Sequence, residues 1–107
     1  MAKFLVRGKY IGEGIQGLMK DGGTGRRKVI EKLAGSLGGK VECIYYAFGE
    51  WDVYGIADMP DNASMAAFSL RAASSGMVSL SIIPLMTIEE IDDAVGKKSE
   101  FRAPGQK

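Results

Sequence analysis

Histidine is absent from this sequence, and cysteine occurs once, at Cys43. Without an imidazole there is no Ser-His-Asp or Cys-His catalysis, and the usual zinc and non-haem iron sites lack their commonest ligand. Carboxylates such as Glu50 and Asp52 remain, and they suit only weakly held hard ions, so no metal is expected. One cysteine forms no internal disulfide, and the apolar neighbours of Cys43 mark it as a buried, inert thiol. Charge of one sign is also missing. Fourteen Lys and Arg face 13 Asp and Glu, a balance that suits no polyanionic partner, and nucleic acid is not expected. No run approaches the roughly 20 apolar residues of a membrane span, and the opening MAKFLVRGKY lacks the apolar core of a secretory signal. The chain therefore reads as cytoplasmic, with no membrane partner.

What is present is one ordinary domain, since 107 residues support a single core and no second one. Alternation in Phe4, Val6, Gly8 and Tyr10 against Leu5, Arg7 and Lys9 predicts a strand. From Glu13 to Leu37 apolar residues recur at three- and four-residue steps and predict a helix that stops at Gly38-Gly39. Such a helix, at about 37 Å, overshoots an eight-residue strand of about 26 Å, so a break at Gly22-Gly23 is expected. KVECIYYAF and DVYGIAD predict two strands joined by a hairpin at Gly49 to Asp52. Pro60, Asp61 and Asn62 open a second helix over ASMAAFSLRAASS, and MVSLSIIPLM reads as a fourth strand, with Pro84 fitting an edge. Thr87 and Glu90 form a capping box for a short last helix that Gly96 ends. The expected domain covers residues 1–96, and 97–107 read as a mobile tail.

The order βαββαβ with an appended helix predicts an α+β, ferredoxin-like fold whose antiparallel sheet runs 4-1-3-2. That topology disposes of one tempting motif. Gly12, Gly14 and Gly17 spell the Gly-x-Gly-x-x-Gly of a dinucleotide fingerprint after the first strand, but a Rossmann unit needs a parallel neighbouring strand and further crossovers. Here the strand after the helix turns straight back. The glycines read instead as close helix packing and an irregular helix start.

The segments KDGGTGRRKVIEKLAGSLGGKVE and AFGEWDVYGIADMPDNASMAAFSL resemble the GYD domain, a bacterial family of this length, over residues 3 to about 95. Its Gly-(x)-Tyr-Asp signature is carried by Gly49, Trp51 and Asp52, with Trp51 standing where the family has tyrosine. The resemblance implies kinship with the dimeric α/β-barrel superfamily, in which two ferredoxin-like sheets pack face to face and a cavity opens between each sheet and its helices. Relatives there include cofactor-independent monooxygenases and isomerases, but no reaction carries over from the GYD domain itself.

Arg26 is the most informative single residue, because it precedes Val29, Ile30 and Leu33 on the core-facing stripe and aims a charge inward. If Thr24 caps a new helix, the amides near Gly25 together with the guanidinium make an anion site suited to a carboxylate. The opposing reading is a structural Arg26 that pairs with Asp or Glu or reaches to solvent. Tyr45 and Tyr46 face opposite sides of their strand and Tyr54 follows the hairpin; core or interface roles weigh against walls and proton donors of a pocket. Asp52 reads as the clamp of the hairpin or, with Trp51, as a group at a pocket mouth. Met19, Met65 and Met86 read as adaptable core filling. Apolar residues on both faces of the second strand predict a homo-oligomer, at least a dimer. Two functions stay open: a binding module or cofactor-independent enzyme for a small organic acid, and an assembly protein whose oligomer surface is its function.

Overall fold

The computed structural model describes residues 1–106; Lys107, the end of the expected tail, lies outside them. The strands β1 (Ala2–Tyr10), β2 (Lys40–Tyr46), β3 (Val53–Met59) and β4 (Val78–Pro84) alternate with the helices α1 (Gly14–Ser36), α2 (Asn62–Ala73) and α3 (Ile88–Gly96) in the expected order. The sheet runs β2-β3-β1-β4 with every neighbouring pair antiparallel, which is the 4-1-3-2 order read from its other edge. The fold is ferredoxin-like. β1 lies between β3 and β4 and pairs nowhere with a parallel strand, so the fingerprint glycines have no Rossmann unit to serve.

Register decides which side chains meet. Phe4 stands between Ala57 and Pro84, Val6 between Gly55 and Ile82, and Gly8 between Val53 and Leu80, and these rows face the helices. Leu5, Arg7 and Lys9 fall by alternation on the opposite, outer face. A bulge between Val41 and Cys43 shifts the register of β2, so that Cys43 sits opposite Ile56 of the outer rows and is half-buried there. The expectation of a buried thiol is thus corrected. The bulge passes one extra residue and turns Cys43 away from the core.

Phe4, Ala34, Ala57, Met59, Met65 and Phe68 form the buried core, with Val6, Ile30 and Leu33 packed against it. It occupies the end of the sheet where β1 begins and β3 ends. Met65 is core as expected, whereas Met19 and Met86 are exposed, the first on the solvent side of α1 and the second just before α3. α2 opens on Asp61, whose carboxylate accepts from the Ser64 amide and is thereby held below the usual carboxylate range. α1 breaks where the length mismatch demands it: Gly22 has φ +73° and ψ 167° inside the helix, a conformation that only glycine takes without strain.

Asp52 ties the β2-β3 hairpin to the middle of the sheet. Its Oδ2 accepts from the Tyr10 amide at 2.8 Å, while its own amide donates to the Gly8 carbonyl and its carbonyl accepts from Ala47. Removing the carboxylate leaves a half-buried amide unpaired, which costs about 1–3 kcal/mol. Asp52→Ala is therefore expected to lower the urea midpoint with an unchanged slope. A midpoint equal to wild type would mean that Asp52 does not hold the hairpin.

Candidate functional site

α1 lies against β2, and α2 against β4 and β3. A cleft of about 390 Å³ opens between the helices over the sheet and borders the core at Ala57 and Phe68. Its floor is Val6, Val53, Gly55 and Leu80, with Leu18, Ile30 and Leu33 on one wall and Phe68 and Ala72 on the other. The space follows from composition. Gly14, Gly17 and Gly55 line it; Gly17 withholds a side chain that would enter it, whereas Gly14 and Gly55 let backbone approach at Met77 and Cys43.

Few polar groups reach this apolar space: Tyr10, Asp21, Arg26, Arg71 and Ser75 among the lining residues. Arg26 stands on the stripe shared with Val29, Ile30 and Leu33, all of which line the cleft. Its Nη1 lies 3.6 Å from the Asp21 carboxylate, a loose pair, and its Nε is buried without any partner. Leaving a guanidinium donor buried and unpaired is costly, and an arriving acceptor relieves that cost. Beside it the hydroxyls of Tyr10 and Tyr46 lie 3.2 Å apart. Burial first, and then the Tyr10 hydroxyl, push the Tyr46 phenol well above its ordinary value, and the weaker opposing pull of the Arg26 charge does not restore it. At neutral pH Tyr46 is a hydrogen-bond donor or acceptor and not a phenolate base.

The expected site residues divide between two places. Arg26 lines the cleft, and Tyr46 stands at its rim through Tyr10. Thr24 is exposed and its hydroxyl makes no capping bond, since the break at Gly22 comes before it; neither Thr24 nor Gly25 lines the cleft. Tyr45 and Tyr54 form a cross-strand pair in the outer rows of the sheet. Trp51 also belongs there, its ring stacked 4.7 Å from the Arg7 guanidinium, while Arg7 Nη2 donates to the Ser81 hydroxyl at 2.9 Å. Asp52 serves the backbone as described above. Sequence reasoning missed Tyr10, Asp21 and Arg71 as lining residues. Two of them carried a signal: Tyr10 continues the inward alternation of Phe4, Val6 and Gly8, and Arg71 follows Phe68 by three positions on α2.

A family model described as GYD domain matches residues 4–95, from Phe4 in β1 to Val95 in α3. The chain belongs to the GYD domain family. No match was found among curated proteins, and none among solved structures. In this GYD domain the Gly49, Trp51 and Asp52 signature lies on the hairpin, away from the cleft, and its visible work is to fasten the hairpin to β1 and to stack on Arg7. Among the described residues no group of His, Cys, Asp and Glu has the size of a metal site, and no helix is long and apolar enough to cross a membrane.

Proposed function

We propose that this GYD domain binds a small organic acid in the cleft between its sheet and helices, as a ligand-binding module or a cofactor-independent enzyme. The observation that supports this reading is the buried, unpartnered Nε of Arg26 at an open apolar cleft of about 390 Å³. A carboxylate reaching Arg26 gains a charge-assisted hydrogen bond, an apolar body rests on Val53, Leu80 and Phe68, and the paired hydroxyls of Tyr10 and Tyr46 hold a second polar group. Such a site is the pattern of a ligand pocket, mostly apolar with a few convergent polar groups.

A thermal-shift screen of aromatic and aliphatic carboxylates against wild type and Arg26→Ala tests it. A ligand at a hundred times its dissociation constant stabilises the fold by about 2.7 kcal/mol, which a melting curve resolves. Loss of a hydrogen bond to a charged group costs about 1.5–3 kcal/mol, so Arg26→Ala is expected to weaken binding roughly 10- to 100-fold. If no acid shifts the wild type, or if Arg26→Ala responds as wild type does, the carboxylate reading fails.

A second reading draws on the other face of the sheet. Tyr45 is 72% exposed and Phe48 fully so, on the face and hairpin that the helices do not cover, and the Trp51 Nε1 and Arg7 Nε donors are buried there without partners. These features suit a surface that meets a second copy of the chain, in a homo-oligomer that is at least a dimer.

A further inference from the structure

α3 carries an apolar stripe that its own domain does not cover. Ile88, Ile91 and Val95 share one side of the helix, at steps of three and four, and no residue of α3 is buried; Ile88 and Val95 are 76% and 81% exposed. Asp92 and Glu89 flank the stripe. The helix is nevertheless well specified at its start, where the Thr87 hydroxyl accepts from the Glu90 amide and the Glu90 carboxylate accepts from the Thr87 amide, both at 3.0 Å. Nine residues are too few for a helix to persist unsupported in water, where about 12–15 are marginal. The α3 arm is not packed closely against any strand or against α1 or α2.

We infer that α3 docks on the outer sheet face of a second copy of this chain, reciprocally, so that each subunit clamps the other. The inference rests on the oligomer reading above and adds the element that completes the contact. Charge supports the choice of partner. Lys3, Arg7, Lys9 and Lys40 stand on the outer face against Glu42 and Asp58, and Lys3 is occupied by both acids, with its ammonium held above its ordinary range. Arg7 and Lys9 have no acid partner of their own, donating only to the Ser81 hydroxyl and the Glu50 carbonyl, and the arm brings Asp92 to the border of its apolar stripe, with Glu89 beyond it. Area supports it as well: a stable interface takes about 800 Å² from each partner, and an arm from each copy adds the exposed Ile88, Ile91 and Val95 to what the sheet face contributes.

Sedimentation equilibrium of the full chain tests this with two variants that alter mostly exposed positions. Wild type is expected at twice 11.5 kDa at micromolar concentration. The arm variant Ile88→Asp/Ile91→Asp and the face variant Lys9→Glu/Ile83→Asp are each expected to raise the dissociation constant at least 100-fold and to run as monomers. Mixed together they keep one intact arm against one intact face, and mixed dimers are expected to return. If circular dichroism finds the face variant unfolded, Lys9→Glu alone takes its place, with at least a 10-fold rise expected. A monomeric wild type overturns the inference and the oligomer reading together. A dimeric arm variant overturns the inference alone and leaves a face-to-face dimer. A face variant that still dimerises, or the absence of mixed dimers, overturns the pairing of arm with face.

Discussion

Gly14→Ala is expected to be the most damaging single-methyl change in this protein. A β-carbon at Gly14 meets the carbonyl oxygen of Met77, with the Met77 carbonyl carbon at 3.1 Å and the Tyr10 β-carbon at 3.2 Å. These are largely backbone atoms, and no rotamer change relieves the overlap. They are also held in place. The Ile11 amide donates to the Met77 carbonyl at 2.9 Å and the Gly14 amide to the Ile11 carbonyl at 2.8 Å, so the start of α1 is strapped to the chain entering β4. The added methyl must push α1 off the sheet or break the strap. Overpacking alone costs about 1–3 kcal/mol, and a lost backbone hydrogen bond adds about 1 kcal/mol, so a loss of about 3 kcal/mol is expected. For a domain of this size that lowers the melting temperature by roughly 10–20 °C. Gly14→Ala melting within about 2 °C of wild type would mean that α1 does not approach Met77 so closely in solution.

The outcome at Gly14 also marks what the sequence can and cannot say. Gly12, Gly14 and Gly17 look alike in the chain, and all three read as close packing or irregular entry to the helix. Gly12 turns the chain at φ +55°, Gly14 touches a neighbouring backbone, and Gly17 has nothing within 4 Å of a β-carbon. Only the path of β4, sixty residues later, separates the last two. Patterns that depend on local period were legible: the strand alternation, the capping box at Thr87, the break at Gly22, and from their order the sheet itself. Arg26 was legible for the same reason, because its face is set by helical spacing from Val29 and Ile30.

The partners of Arg26 were not. Tyr10 comes from another element, and Asp21 lies across a break whose angle no spacing rule gives. Asp52 was read as the clamp of the hairpin or, with Trp51, as a group at a pocket mouth; Asp52 ties the hairpin to β1, while alternation along β1 and β3 carries Arg7 and Tyr54 to the outer face, and Trp51 follows Arg7 there. Parity could place the strands' residues on two faces. It could not say which face the hairpin loop would lean over, because residues 47–52 have no regular period.

Filling the cleft from Gly17 is expected to strengthen the fold and abolish binding at once. Gly17 lies in the first half of α1, lines the cleft, and points its missing side chain into open space. Leucine there replaces a poor helix former with a good one, worth about 0.8–1 kcal/mol, and partial burial against Leu18 and the apolar floor adds about 1 kcal/mol more. Gly17→Leu should therefore melt at least 5 °C above wild type. The same side chain occupies the space in which a ligand's apolar body would lie. Anilinonaphthalene sulfonate, an aromatic anion that brightens in apolar surroundings, reports on that space without any knowledge of the natural ligand. Its affinity is expected to fall at least 10-fold in Gly17→Leu, and roughly as far in Arg26→Ala, although Arg26→Ala leaves the cavity open and gains no stability. The pair separates shape from charge. A less stable Gly17→Leu would mean that the cleft is closed in solution and that the leucine intrudes on packed atoms. A more stable variant with dye affinity unchanged would mean that the anion binds elsewhere, and the uncovered outer face, with Arg7 and Lys9, would be the place to look.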